Sequence, residues 1–414
     1  MKLIVIGSGI AGMYISWLLQ RQGHAITVCE ANDYVGGHTH THAISHAGRE
    51  WHIDTGFIVF NDWTYPNFIR LLKTLNIPSQ PTSMSFSVHD DESGLEYNGT
   101  SLNTLFAQRR NLLRPAFWHM VMDIVRFNRE APKLLSGDDH ATTISDYALA
   151  NGYSREFLEY YLLPMGGAVW SATPERMREF PARYLVQFFK NHGFLSVNDR
   201  PQWRVIQGGS QRYARALSAP FRDSTRTNAP VRSVSRRDGV SVTLASGEVL
   251  QAEGCVLAVH GDDALRLLED PSDAEQQVLG SFTFQENRAV LHTEQRFLPR
   301  RPLARAAWNY RIPTQDHHSC SVTYDMNVLQ GLDSAQHFLV SLNQPGIAPE
   351  SVLRTVTYRH PIYSVASVAA QRRHGEISGQ QRTWYCGAYW GYGFHEDGVN
   401  SALAVARQFG ISAP

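Results

Sequence analysis

The stretch Leu3-Ile4-Val5-Ile6-Gly7-Ser8-Gly9-Ile10-Ala11-Gly12 lies at the start of the sequence and decides its fold. The apolar run over residues 3–6 is typical of a buried parallel strand and is too short to span a membrane. Gly7 permits a tight turn, Gly9 lets a phosphate approach the backbone, and Gly12 lets a helix pack closely on the strand. The N–H groups that begin this helix would face the phosphates. The sequence therefore predicts a strand–turn–helix unit that binds a dinucleotide.

A second strand and a second glycine pair follow this unit. Ile26-Thr27-Val28 predicts the strand, and Glu30 after its end can accept hydrogen bonds from ribose hydroxyls. No arginine lies near Glu30, whereas a ribose 2′-phosphate would favour one. The glycine pair belongs to Val35-Gly36-Gly37-His38-Thr39.

This combination resembles the superfamily of FAD-dependent amine oxidases, protoporphyrinogen oxidases and phytoene desaturases. In that superfamily a Gly-Gly pair after the ribose-binding glutamate gives a second close approach to the pyrophosphate, and an arginine usually follows. The present sequence has His38 at the position of that arginine. The resemblance implies FAD as the cofactor. No Cys-Tyr or Ser-Gly-Gly-Cys sequence marks covalent attachment, so we expect the FAD to be non-covalent.

The resemblance covers almost the whole chain. Asp54-Thr55-Gly56-Phe57 matches the segment beside the flavin ring, and Val231 would meet the adenine side. Gly387-Ala388 stands where the superfamily has Gly-Asp or Gly-Glu, so the ribityl hydrogen bond would come from another group. A final helix over 400–409 would point its N-terminus at the flavin. The implied cofactor-binding residues are Gly7, Gly9, Ile10, Ala11, Gly12, Glu30, Gly36, Gly37, His38, Thr39, Thr55, Gly56, Phe57, Val231, Gly387, Ala388, Gly398 and Val399.

The implied fold class is α/β: a glutathione-reductase-type, Rossmann-like FAD-binding domain with an inserted α+β substrate domain, as in amine oxidases. The motifs place the discontinuous FAD-binding domain at 1–75, 203–270 and 376–414, and the substrate domain at 76–202 and 271–375. Apolar residues one helical turn apart predict a helix within 115–135 of the first insert.

Several strings resemble a narrower group. Asn191-His192-Gly193-Phe194-Leu195 and Gly393-Phe394-His395-Glu396-Asp397-Gly398 are similar to a bacterial branch described as NAD/FAD-binding proteins and to the N-terminal region of plant cyclopropane fatty acid synthases. Bacterial members are often encoded beside a methyltransferase of the cyclopropane-synthase type. The resemblance implies a modified fatty acyl chain as substrate and that methyltransferase as a candidate partner.

Composition narrows the classes of partner. Acidic and basic residues balance at 38 each, which argues against nucleic acid as a partner. Four widely spaced cysteines predict neither a disulfide framework nor a zinc site, and Cys29 and Cys255 read as buried thiols. The first strand begins at residue 3, and no apolar run reaches transmembrane length. We therefore expect a cytoplasmic protein. Peripheral contact with a membrane is compatible with this expectation.

The candidate catalytic residues lie near the end of the chain. Trp390 and Tyr392 stand near two positions that form an aromatic cage for amines in the superfamily, and they could equally line a channel for an apolar chain. His395 and Glu396 could transfer a proton, or belong to a rigid loop that caps the final helix, with Asp397 accepting its free N–H groups. Many amine oxidases of the superfamily have a lysine in the second insert, and 271–375 contains none.

Three functions remain open on these residues. The first is hydride transfer from a C–H bond of an apolar substrate to the flavin, giving an alkene. The second is oxidation of an amine to an imine with production of peroxide. The third is a flavin-binding partner subunit of an acyl-chain methyltransferase. The alternating His38, His40 and His42 resemble a metal site, but no carboxylate or cysteine accompanies them, so we predict no metal.

Overall fold

A parallel sheet of five strands forms around the first strand of the chain. The computed structural model describes residues 1–196, 198–314 and 321–412. In spatial order the strands of this sheet are Thr225–Arg226, Ala25–Cys29, Lys2–Ile6, Gly254–Leu257 and Thr383–Tyr385. Ile4 lies between Thr27 and Cys255 of the neighbouring strands. Residues 3–6 are buried, as the predicted central strand requires.

Two helices cover one face of this sheet. The helix Ile10–Arg21 begins directly after the glycine turn and packs against the last helix, His395–Gln408. The last helix begins five residues earlier than the predicted 400–409, and the expected start is wrong. The Asp397 carboxylate accepts the Phe394 N–H at 2.9 Å, which caps the helix at residue 394. His395, Glu396 and Asp397 therefore belong to its first turn.

A second sheet contains seven strands. In spatial order they are Val352–Ile362, Thr283–His292, Leu339–Leu342, Ser321–Asp325, Trp308–Ile312, Phe86–Asp90 and Glu96–Asn98. All these strands fall within 76–202 and 271–375, whereas all five parallel strands fall outside them. The two sheets are thus built from different parts of the chain, and the division into two discontinuous domains stays a prediction.

Smaller sheets and many short helices complete the chain. The small sheets pair Thr41–His46 with Arg49–Asp54, join Val231–Ser235, Val240–Leu244 and Val249–Ala252, and join Val59–Asn61, Trp203–Ile206 and Ser79–Pro81. The other α-helices are Pro66–Thr74, Leu102–Leu105, Pro115–Glu130, Ile144–Ala150, Arg155–Phe157, Leu163–Trp170, Pro174–Arg178, Ala182–Asn191, Gln211–Ser218, Gly261–Leu267, Asp273–Leu279, Met326–Gln330, Val365–Gln371 and His374–Ile377. A π-helical turn spans Leu158–Leu162, and 3₁₀ turns span Arg109–Leu113, Ala131–Ser136, Ala219–Ser224, Gln295–Phe297, Pro302–Ala304, Pro349–Ser351, Gln380–Arg382 and Ala388–Trp390.

The helix expected within 115–135 is present as Pro115–Glu130, which continues into the 3₁₀ turn Ala131–Ser136. Among the described residues, none of the helices combines the length and the apolar composition that crossing a bilayer requires. Cys29 and Cys255 are free and buried, as expected of apolar strand positions. Cys320 lies outside the described residues.

Candidate active site

A cavity of about 1010 Å³ lies where the glycine turns meet the seven-stranded sheet. Its lining includes Gly7 and Gly9 on one side and the segment from Thr355 to Pro361 on the other. Its volume is at the upper end of the range for small-molecule sites, about 300–1,000 Å³. The cavity can therefore take an extended ligand such as a dinucleotide together with a second molecule.

The two glycine motifs form one cradle in this cavity. Gly9 and Gly36 form a parallel β-bridge, and the Gly36 N–H donates to the Ser8 carbonyl oxygen at 3.0 Å. Gly37 has a left-handed φ of 58°, and a Cβ there would lie 3.3 Å from the Gly9 Cα. A Cβ at Gly9 would meet no atom within 4 Å, because that side faces the cavity. The cradle is thus built for close approach of a ligand to backbone N–H groups.

Glu30 lies at the edge of the cradle, where the predicted ribose site should be. One carboxylate oxygen accepts the Ser8 N–H at 2.9 Å and the Ser8 hydroxyl at 2.6 Å. The other accepts the Asn32 N–H and side-chain amide, both at 2.9 Å. These four bonds fix the buried carboxylate in the cavity lining and keep it aligned for a hydroxyl ligand.

His38 faces a cluster of aromatic and imidazole rings beyond the cradle. Its ring centroid lies 4.8 Å from that of Tyr358, 5.3 Å from that of His360 and 6.0 Å from that of His260. Burial lowers the pKa of His38 to about 4 and that of His360 to about 3, so both rings are neutral at pH 7. The His38 Nε2 atom is buried without a hydrogen-bond partner in the described structure. An unpaired polar atom at this position suits a polar ligand group.

Charged side chains beside this cluster come from two elements that sequence reasoning missed. Arg359, on the strand Val352–Ile362, donates to Asp263 at 2.8 Å and also contacts Asp262. Arg266 contacts Asp263 as well. Arg359, Asp263 and Arg266 line the cavity. No local motif marks this network, because nearly a hundred residues separate Arg359 from Asp262 and Asp263.

The side chains that lie at metal-ligand distances in the structure are not the alternating histidines of the sequence. His40 and His42 lie 4.1 Å apart by ring centroid, and His42 Nε2 bonds the Thr55 hydroxyl at 3.1 Å. In the described ranges, ligand-like spacing occurs instead at His260, Asp262 and Asp263. Because Arg359 neutralises both carboxylates, this grouping is explained by an ion-pair network.

The opposite part of the cavity is mostly aromatic and aliphatic. We call this set the aromatic end: Tyr65, Met84, Val169, Trp170, Phe188, His192, Phe194, Trp203, Trp308, Tyr324, Leu342, Val356, Tyr392 and Phe394. Within it, the Phe188 ring lies 4.8 Å from Trp170, 5.2 Å from Phe394 and 5.5 Å from Tyr392, measured between centroids. Such packing excludes water from the space that it surrounds.

The structure brings only two of the four candidate catalytic residues to the cavity. Tyr392 and His395 line it, and the His395 ring stacks on Phe57 with 3.3 Å between centroids. The expectation for the other two is corrected. Glu396 caps the helix Pro66–Thr74 by accepting the Asn67 and Phe68 N–H groups at 3.1 and 2.8 Å. Trp390 packs away from the cavity, 5.1 Å from Phe282 and 4.6 Å from His374 by ring centroid.

Most of the expected cofactor-binding residues line the cavity. They are Gly7, Gly9, Ile10, Ala11, Glu30, Gly36, Gly37, His38, Thr55, Gly56, Phe57, Val231, Gly387 and Ala388. Four others lie behind this lining and support it. A Cβ at Gly12 would collide with the Gly7 carbonyl oxygen, and one at Gly398 would lie 2.6 Å from the Ile10 Cγ2. The buried Thr39 hydroxyl bonds His395 Nε2 at 3.0 Å, and Val399 is fully buried.

This fold and cradle define a flavoprotein class. The family model for flavin-containing amine oxidoreductases matches residues 10–409, so the chain belongs to that family, as the resemblance predicted. The cradle, the unpaired His38 Nε2 and the fixed Glu30 fit FAD as the family's cofactor. The link to cyclopropane fatty acid synthases stays a prediction.

Similar proteins include oxidases and an isomerase. The L-amino-acid oxidase of Siganus canaliculatus is 23% identical over 257 residues, which cover 59% of this chain and 46% of that protein. The chain thus spans about half the length of this relative. Cyclohexylamine oxidase from Brevibacterium oxydans IH-35A has a TM-score of 0.69 at 16% identity, with 99% of both chains covered. A CLA-producing fatty acid isomerase from P. acnes has a TM-score of 0.68 at 15% identity, also with 99% of both chains covered.

Proposed function

We propose that this protein is an FAD-dependent oxidoreductase that removes a hydride from a C–H bond of an uncharged, apolar substrate, a modified fatty acyl chain. A proton leaves the neighbouring carbon to a nearby base or to solvent, and the chain is thereby desaturated. When bound, FAD supplies the hydride acceptor. The structures with similar folds do not distinguish the candidate substrates, because one is an amine oxidase and another is a fatty acid isomerase. The choice rests on which side chains line the cavity.

The distribution of charge in the lining supports the proposal. The lining residues with acidic or basic side chains, other than histidines, are Glu30, Asp263, Arg266 and Arg359, in the part of the chain that the structure describes. Glu30 belongs to the nucleotide cradle, and the other three form one ion-pair network near His38. A substrate carboxylate or ammonium group in the aromatic end would therefore be buried without a charged partner, which is costly. An acyl chain carries no such group along its length.

His192 is the titratable imidazole within the aromatic end, and burial keeps it neutral. Its Nδ1 lies 3.0 Å from the Phe188 carbonyl oxygen and donates to it. Its Nε2 lies 3.2 Å from the Thr64 hydroxyl, which donates to Asn61 Oδ1 at 3.0 Å. Burial lowers the pKa of His192 to about 4. The ring therefore adds no charge to the aromatic end at pH 7.

The chain's own residues position the substrate and keep the space dry. Trp170 Nε1 donates to the Tyr392 carbonyl oxygen at 3.0 Å, which fixes the segment that carries Tyr392. Burial raises the pKa of Tyr392 to about 12, so its hydroxyl keeps its proton and forms no anion for an amine to pair with. Because Trp390 packs elsewhere, the pair expected for an amine cage does not form around the cavity.

The test uses the purified protein under anaerobic conditions. Its flavin absorbance is recorded while extracted bacterial phospholipids, free methylated fatty acids and a panel of amines are added separately. We expect the lipids to bleach the flavin and the amines to leave it oxidised. Bleaching by amines alone would overturn the proposal in favour of amine oxidation. A flavin that no compound reduces would favour a subunit that depends on a partner, for which the methyltransferase is the first candidate to add.

A pair of variants sharpens this test. Val169 lies in the aromatic end, and Val169→Asp would place a carboxylate among its aromatic rings. Val249, exposed on a strand remote from the cavity, gives the matched control Val249→Asp. We expect reduction by lipids to slow at least tenfold in the first variant only, because the apolar chain would contact a charge. Equal rates in the two variants would count against substrate binding at the aromatic end.

The attachment of FAD is tested separately. Acid precipitation of the holoprotein should release the flavin into the supernatant, because we propose non-covalent binding. Flavin that stays with the pellet would contradict this.

A further inference from the structure

Large exposed apolar side chains are concentrated in one segment. Twelve such side chains occur in the described part of the chain, and six of them lie between residues 102 and 125: Leu102, Leu112, Leu113, Trp118, Met122 and Val125. Leu113 is 87% exposed, Val125 61% and Met122 56%. Scattered single residues of this kind are ordinary, whereas a contiguous patch marks an interaction surface.

The helix Pro115–Glu130 presents two apolar faces. Phe117, Met120 and Phe127 are buried in the core. Trp118, Met122 and Val125 follow each other at spacings of four and three residues, so they share one side of the helix, and that side is exposed. The preceding 3₁₀ turn Arg109–Leu113 adds two more exposed residues. We call these five residues the outer apolar face: Leu112, Leu113, Trp118, Met122 and Val125.

Basic side chains surround the outer apolar face. Residues 109–133 contain six arginines and lysines but only two acidic residues, although the whole sequence is balanced at 38 each. Asp123 and Glu130 are paired with Arg126 and Arg129 at 2.9 Å. The other four bases have no carboxylate partner in the described ranges: Arg109, Arg110, Arg114 and Lys133. The segment is therefore locally cationic.

We propose that the outer apolar face docks on the surface of a membrane that contains anionic lipids. Exposed apolar side chains and a tryptophan on one helix, with basic residues before and after it, are the features of an interfacial helix that lies in the plane of a bilayer. The apolar side chains enter the boundary between head groups and acyl chains, and the basic side chains contact lipid phosphates. A second copy of this chain fits less well, because the four unpaired cations would face each other across a two-fold interface.

The docking surface extends the proposed function, since it would bring the enzyme to acyl chains where they reside. Its test involves no turnover, so it fails or succeeds independently of the substrate. The holoprotein is sedimented with vesicles of phosphatidylcholine alone or of phosphatidylcholine mixed with phosphatidylglycerol. We expect binding to the mixed vesicles, and weaker binding to the neutral ones and at high salt.

Two sets of variants locate the contact. The triple variant Leu113→Ser, Met122→Ser and Val125→Ser should reduce vesicle binding by about tenfold or more, because it removes three apolar side chains from the lipid boundary. Arg110→Gln and Lys133→Gln should each reduce binding to the anionic vesicles about fivefold. The control Val249→Ser also replaces an exposed apolar residue, but outside this segment, and should bind as the wild type.

The results that would overturn the proposal are equally specific. Wild-type protein that stays in the supernatant with both vesicle types contradicts it, as does a triple variant that sediments like the wild type. Light scattering without lipid tests whether the outer apolar face instead joins two copies of the chain. A wild-type dimer that the triple variant converts to a monomer, with no vesicle binding by either, would make this face a subunit interface instead. Unchanged flavin absorbance and melting temperature would show that the triple variant is folded.

Discussion

Replacing Gly9 with alanine should separate cofactor binding from folding. Gly9 has φ −63° and ψ 179°, which alanine adopts without strain, and the added methyl group would meet no protein atom within 4 Å. The methyl group would instead project into the cavity at the cradle. The apoprotein should therefore fold normally, with a free energy of unfolding within about 0.5 kcal/mol of the wild-type value.

The loss should appear in FAD affinity. A hydrogen bond to a charged group contributes about 1.5–3 kcal/mol. Losing one such bond from the cradle to the pyrophosphate would raise Kd roughly 10- to 150-fold. Titration of apoprotein with FAD, followed by flavin fluorescence, measures this change, and thermal melting of the apoprotein measures folding.

The matched control is Gly375→Ala. Gly375 is exposed in the helix His374–Ile377, and a Cβ there also meets no atom within 4 Å. It should leave both FAD affinity and stability near wild-type values. A yellow, fully loaded Gly9→Ala protein with unchanged Kd would refute the placement of the pyrophosphate at the cradle.

Four other substitutions test the packing and electrostatics. Gly12→Ala should lower the free energy of unfolding of the apoprotein by about 1–3 kcal/mol or more, because the new Cβ collides with the Gly7 carbonyl oxygen. A melting temperature equal to that of the wild type would contradict this. Arg236→Gln should cost about 3–5 kcal/mol in denaturant unfolding, because its buried guanidinium pairs with two carboxylates, whereas the exposed pair of Arg226 should cost less than about 1 kcal/mol when Arg226→Gln breaks it. Burial raises the pKa of Asp54 to about 6, so the native state keeps a proton that the unfolded state loses near pH 4. The free energy of unfolding should therefore fall by on the order of 1 kcal/mol per pH unit as the pH rises from 4 to 6. Asp54→Asn should flatten this dependence in pH-resolved unfolding, and an unchanged slope would assign it to other groups.

The cofactor half of the site was predictable because its geometry is local. A strand, a glycine turn and a helix follow one another within residues 2–21, and the structure has them in that order. The role of Gly12 in helix packing could also be predicted, since the spacing of the glycines fixes which one faces the strand. The backbone requirements of residues close in sequence leave few alternative structures for such a segment.

The remainder of the site depends on contacts between distant segments. Arg359 meets Asp262 and Asp263 only because the seven-stranded sheet lies against the helix Gly261–Leu267. The same limit explains Glu396, which was expected near the flavin but caps a helix that begins at Pro66. In a sequence, a catalytic carboxylate beside an aromatic motif looks the same as a structural one. Only the position of its hydrogen-bond partner in the fold distinguishes the two roles.

The proposed function requires the aromatic end to take an uncharged apolar chain. The most direct test is the anaerobic flavin spectrum of the purified holoprotein during separate additions of methylated fatty acyl lipids and amines. We expect the lipids to bleach the flavin band, a double bond to appear in the recovered lipid, and the amines to have no effect. Bleaching by an amine, with the lipids inert, would contradict desaturation of an acyl chain.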